Sequence, residues 1–220
     1  MRVYYFSTTV HTISNLALKR LKVSRFSELN DPFEFLAADL LDPRHQAGLV
    51  KLKNELNESK GMICFSRAWS NPLLWGHYAE KHSGIALGFD VPNELLTSVN
   101  YTKTRNYKIE FNPNTEVVIN GPQLLDRLIR TKYFDWQYES EHRIFEDLAT
   151  KVQEAGNYFV DFSQDLQLRE VILGLKCELS VARVKQLLGN NVGKVKVMKA
   201  AMARREFKII EDRSARTPRV

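Results

Sequence analysis

Short apolar runs of strand length recur along this chain at irregular intervals, with helical patterns between some of them and not others. Residues 3–7, 21–26, 61–66, 85–90, 158–162 and 171–173 read as strands, and weaker strand patterns lie at 99–101, 107–111, 195–198 and 207–210. Thr12 can cap a first helix, Asp42-Pro43 opens a polar helix to about residue 59, and Asn71-Pro72 opens another through Trp75 and Tyr78. Helical spacing returns over 123–133 and, behind Ser180, to Leu188, whereas 136–145 reads as a strand. A doubly wound parallel sheet needs regular strand-helix alternation, which is missing. The pattern therefore predicts an α+β fold with mixed or antiparallel sheets flanked by helices.

With 220 residues, 44% hydrophobic and 26% charged, the chain can bury one substantial core and is not a disordered polymer. We expect a single domain over residues 1–212 and a disordered basic tail over 213–220. No apolar run approaches the ~20 residues of a membrane helix, and the first residues lack the pattern of a signal peptide, so the expectation is a cytoplasmic protein without membrane contact. Cys64 and Cys177 each sit in an apolar stretch, which predicts neither disulfide nor zinc site. A formal charge of +6 favours polyanionic or phosphorylated partners.

Suggestive polar residues gather in four segments. Leu29-Asn30-Asp31-Pro32-Phe33-Glu34 has the chemistry of a rigid turn, which reads as structural when taken alone. Cys64-Phe65-Ser66-Arg67 leads into the segment with Trp75, His77 and Tyr78, where Tyr78 is either core or a stacking surface for a planar ligand. His77 and His82 are five residues apart and diverge by roughly 140° on a helix, so no metal site is expected from them. In Trp136-Gln137-Tyr138-Glu139-Ser140-Glu141-His142-Arg143, a strand would place Glu139, Glu141 and Arg143 on one face, as an ion pair or as a catalytic group.

These segments in this order, with Tyr4-Tyr5-Phe6-Ser7, Gly88-Phe89-Asp90 and Glu170-Val171-Ile172-Leu173-Gly174, resemble a bacterial family known as domain of unknown function twenty-nine seventy-one. More distantly, a tyrosine-rich first strand, a strand ending in Ser before an aromatic helix, and a late Glu-x-Glu resemble the three-part signature of ADP-ribosyltransferases. The opening is similar to that of the branch modifying DNA or RNA. That branch carries a ribose-anchoring His or Arg where this chain has Tyr4 and Tyr5.

The resemblance implies an ADP-ribosyltransferase-like fold, NAD as co-substrate without a metal, and cleavage of the nicotinamide–ribose bond through an oxocarbenium-like state. Glu141 would stabilise the developing cation and Glu139 would orient or deprotonate the acceptor. Tyr5, Ser7, Asn30, Asp31, Ser66 and Tyr78 would form the NAD site. The positive field would suit a nucleic-acid acceptor, and a toxin or phage-defence role would add an antitoxin or regulatory protein as partner. The rival expectation is a non-catalytic nucleic-acid- or partner-binding module of a defence system, which would hold phosphates with Arg127, Arg130, Lys132, Arg204 and Arg205 and in which the two carboxylates are structural. A nuclease lacks an acidic metal-binding motif here.

Overall fold

In a computed structural model, which describes residues 1–105, 107–110, 120–189 and 193–214, the strand-length apolar runs assemble into one large sheet. In chain order the elements are β1 (Arg2–Ser7), α1 (Thr9–Leu18), β2 (Arg20–Val23), α2 (Pro43–Ser59), β3 (Lys60–Ser66), α3 (Pro72–Tyr78), β4 (Ile85–Asp90), β5 (Thr97–Ser98) and β6 (Asn100–Thr102). They continue with α4 (Gly121–Ile129), β7 (Thr131–Tyr133), β8 (Glu141–Asp147), β9 (Val152–Glu154), β10 (Asn157–Asp161), β11 (Gln167–Leu173), α5 (Val181–Leu188), β12 (Lys196–Met202) and β13 (Ile209–Glu211). The large sheet has the order β13-β12-β11-β4-β1-β3-β8-β5; its β11–β12 pair is parallel and the others are antiparallel. This is the expected mixed α+β architecture.

Strand alternation divides the core between the two faces of that sheet. Val3, Phe65, Leu87, Phe89, Val171 and Leu173 point to one face, where they pack with Leu16 of α1, Leu21 of β2 and Val184 of α5. On the other face, Trp75 of α3 packs with Ala86, Ile172 and Ala200, while Met62 packs with Leu49 of α2 and Leu124 and Leu128 of α4. The second face thus carries two separate apolar clusters, and the β1–β3 seam runs between them.

Several local expectations are corrected. Thr8, not Thr12, caps α1 by accepting from the His11 amide; Thr12 lies buried inside the helix. The segment read as a strand over 136–145 is a 3-10 helix, Phe134–Glu139, followed by β8. The helix expected through Tyr133 stops at Ile129, because the Arg130 carbonyl accepts from the Asn100 amide and residues 131–133 then pair in parallel with β6. β1 and β2 part company as well, β2 joining β10 and β9 in a smaller sheet. Both cysteines are free. Tyr107 makes an isolated bridge to Ala38. Phe111 of the weak 107–111 strand pattern, the adjoining Asn112-Pro113-Asn114, and residues 215–220 of the expected tail lie outside the described residues. No helix among the described residues is long and apolar enough to cross a membrane.

Candidate active site

Cross-strand register assembles the site. Tyr4 of β1 lies opposite Ser66 of β3, Ser66 lies opposite Glu141 of β8, and Cys64 lies opposite Arg143. Directly opposed residues of antiparallel strands share a face, so Tyr4, Cys64, Ser66, Glu141 and Arg143 all project from the second face. Gly88, opposite Tyr4, makes room for its ring: a Cβ there would sit 3.0 Å from a ring carbon. A cavity of about 300 Å³ opens above this row. Asn30 and Glu34 from the turn after β2, Phe6 of β1, Tyr78 of α3 and Lys132 of β7 are among the residues that line it.

Its polar wall is a buried charge network. The Lys132 amine donates to Glu139 Oε2 at 2.7 Å and Glu141 Oε2 at 3.1 Å, and lies 3.5 Å from Glu34 Oε1. Arg143 donates through Nε to Glu141 Oε1 at 2.8 Å and through Nη2 to Glu34 Oε1 at 2.7 Å, and a further N–H reaches the Ile129 carbonyl. The Tyr78 hydroxyl donates to Glu139 Oε1 and accepts from Asn30 Nδ2 at 2.9 Å. Glu34, Lys132, Glu139, Glu141 and Arg143 are each 5% exposed or less. Three carboxylates therefore face two cations in a low-dielectric pocket, where the pairing offsets desolvation only because nearly every donor has an acceptor.

The two late carboxylates have different proton affinities. Burial pushes Glu139 above its ordinary value, with Lys132 opposing. Glu141 is buried too, but Arg143 and Lys132 overcome that effect and hold it down at about 2. Burial also works against the Lys132 charge, yet Glu141, Glu34 and Glu139 keep its pKa above the ordinary value. The Tyr78 phenol is raised by burial and then by Glu139. Beside them, burial and Glu141 raise the Cys64 thiol well above its usual range, so it stays protonated and is a poor nucleophile.

The expected convergence of Glu139, Glu141 and Arg143 occurs by another backbone route. Glu141 and Arg143 alternate along β8 as a strand requires, but Glu139 ends the 3-10 helix and is swung beside them by Ser140, which adopts φ 45°. Ser66 Oγ lies 2.5 Å from the Glu139 carbonyl oxygen and holds that bend. The cavity thus brings together Asn30, Ser66, Tyr78, Glu139 and Glu141. Tyr5 borders it, but its ring turns to the opposite face against Phe65, so the cavity-side rings of β1 are Tyr4 and Phe6. Ser7 does not line the cavity, because it lies opposite Ile85 and shares the face of Val3 and Tyr5. Asp31 is also outside it, buried and closing its own turn by accepting from the Phe33 amide at 2.9 Å.

The basic residues divide as well. Lys132 is not a surface phosphate ligand, since its amine is buried among the three carboxylates. Arg127 is exposed beside the Tyr107 ring and Arg130 pairs with Asp126 on α4, whereas Arg204 and Arg205 lie exposed between β12 and β13. Since β12 and β13 form the sheet edge opposite β8 and β5, these arginines form no single stripe. His77 packs against the rings of Trp136 and Tyr138.

Glu34 had a legible signal, the Asn-Asp-Pro-Phe turn that precedes it, but nothing in its spacing linked it to a strand more than a hundred residues away. Residues 74–144 match a family described as protein of unknown function, DUF2971. The chain carries a DUF2971 segment. This segment runs from Leu74 in α3 to Ile144 in β8 and contains Tyr78, Lys132, Glu139, Glu141 and Arg143. Asn30, Glu34 and Ser66 lie before it, so the cavity is built from the DUF2971 segment and the strands that precede it. No curated protein and no solved structure matches the chain.

Proposed function

We propose that the chain is an ADP-ribosyltransferase that cleaves the nicotinamide–ribose bond of NAD and transfers ADP-ribose to a macromolecular acceptor, nucleic acid being the acceptor its net charge favours. One observation carries this reading: Tyr78 and two carboxylates of unequal proton affinity line a single cavity of about 300 Å³. That volume is at the lower end for small-molecule pockets, roughly 300–1,000 Å³, and suits the nicotinamide–ribose end of the dinucleotide. An excess of carboxylates over cations favours a pyridinium ring and the oxocarbenium formed from it.

In this mechanism Glu141, kept ionised by Arg143 and Lys132, stabilises positive charge as the C1′–N bond breaks and nicotinamide leaves with the bonding electron pair. The acceptor then bonds to C1′ while its proton passes to Glu139, whose raised affinity suits a general base. Tyr78 and Asn30 orient Glu139, and Lys132 couples the two carboxylates. A toxin or phage-defence effector held in check by a partner protein is the biological setting that suits such an activity.

A second reading, a non-catalytic nucleic-acid- or partner-binding module, draws on one specific feature: both Glu141 oxygens are already engaged by Arg143 and Lys132. The readings separate when the protein is incubated with NAD and mixed DNA, RNA and protein while free nicotinamide and acceptor mass are followed. Transferase activity predicts nicotinamide release and a mass gain that fall at least 100-fold in Glu141→Gln. Absence of NAD binding and of nicotinamide release with every acceptor would overturn it in favour of the binding module.

A further inference from the structure

A second cavity, of about 370 Å³, shares Lys132 with the first. Strand alternation turns the Lys132 amine toward the carboxylates and leaves its neighbours Thr131 and Tyr133 to the second cavity. Here the chemistry is reversed. Lys103 and Arg105 line it, no carboxylate does, and among the described residues neither cation pairs with one. Both are exposed and rest on aromatic rings: the Lys103 amine lies 4.5 Å from the Phe134 centroid, and the Arg105 guanidinium carbon lies 5.0 Å from that of Phe33. The turn between them is fixed, because Thr102 Oγ1 donates to the Thr104 carbonyl at 3.1 Å and accepts from the Thr104 amide at 3.2 Å.

Two cations on one turn that lines a pocket, neither paired with a carboxylate among the described residues, beside half-exposed aromatic rings, Phe33 at 53% and Tyr133 at 44%, match a ligand carrying both a flat ring and a strong anion. An acidic peptide would use the cations and leave the rings idle, and a fatty acid would set its carboxylate on the cations but leave Phe33 and Tyr133 without a planar partner. We propose that this second cavity binds a nucleotide, with its base against Phe33 and Tyr133 and its phosphate between Lys103 and Arg105. The same chemistry is offered by a free nucleotide and by one unit of a single strand. The inference requires no catalysis in the first cavity, so the two fail separately.

Calorimetric titration of the full chain with AMP, adenosine, inorganic phosphate and a short single-stranded oligonucleotide tests it. AMP is expected to bind at least tenfold more tightly than adenosine or phosphate. The exposed pair Lys103→Ala/Arg105→Ala should weaken AMP at least tenfold, Phe33→Ala severalfold, and Tyr78→Phe not at all. Tighter binding of the oligonucleotide than of AMP assigns the cavity to a strand, and equal or weaker binding assigns it to a free nucleotide. AMP that binds no better than phosphate, or that responds to Tyr78→Phe and not to the cation pair, overturns the proposal.

Discussion

Lys132 and Glu141 are held by the same few ångströms of buried electrostatics, and their removal should have different signatures. Lys132→Met leaves Glu34, Glu139 and Glu141 around one remaining cation, so a loss of about 3–5 kcal/mol in unfolding free energy is expected. Adding Glu139→Gln should restore part of that loss, because one of the stranded charges is removed; a double-mutant cycle in urea measures the coupling. The pH dependence separates the two glutamates. Glu141 is held at about 2 against an ordinary 4.5, so its charge contributes stability present above pH 4.5 and lost as pH falls toward 2. The Glu141→Gln deficit should therefore be largest at neutral pH and narrow across that interval. Glu139 has the opposite sign: raised above 4.5, it contributes stability present below that pH and lost as pH rises through its folded value. A Glu139→Gln deficit that narrows as pH rises is the expected result, read from urea titrations at a series of pH values.

At the scale of elements, the bend between the 3-10 helix and β8 sets the spacing of the two carboxylates. Ser140 holds a left-handed conformation there, which strains an L-residue by roughly 1–2 kcal/mol and a β-branched one more. Ser140→Gly should leave unfolding free energy within about 1 kcal/mol of the parent, whereas Ser140→Val should lower it by about 2 kcal/mol and disturb the Glu139–Tyr78 contact, detectable as a change in tyrosine fluorescence. The helices depend on ordinary caps. Thr8 and Ser180 each accept a backbone amide at the start of α1 and α5, and Ser180→Ala should reduce stability by about 1 kcal/mol in the same denaturation assay.

Across the whole molecule, α3, β4 and β11 meet at a junction with no spare volume. A Cβ on Gly174 would lie 2.3 Å from the His82 carbonyl oxygen and 2.6 Å from that of Gly84. Because those neighbours are backbone, Gly174→Ala should exceed the ~1–3 kcal/mol of ordinary overpacking and lower the thermal midpoint by many degrees. Much of this architecture was legible in the chain. The apolar runs at 61–66, 85–90 and 171–173 became β3, β4 and the end of β11, and the Asn71 and Ser180 signals marked real helix starts, because strand periodicity and capping act over a few residues. The charge network was legible only in fragments. Spacing could pair Glu141 with Arg143, but the net charge placed Lys132 on a basic surface, the resemblance put Tyr5 in the NAD site, and nothing local decided which of Tyr4 and Tyr5 faces the cavity. What the sequence determined by itself was local: the mixture of strands and helices, the face on which each apolar side chain falls, and the polar segments worth watching. Tertiary structure alone decided that Glu34, Lys132, Glu139, Glu141 and Arg143 share one buried site, since their meeting depends on strand register and on the end of α4. Those are set by contacts between residues far apart in the chain, and no local pattern encodes them.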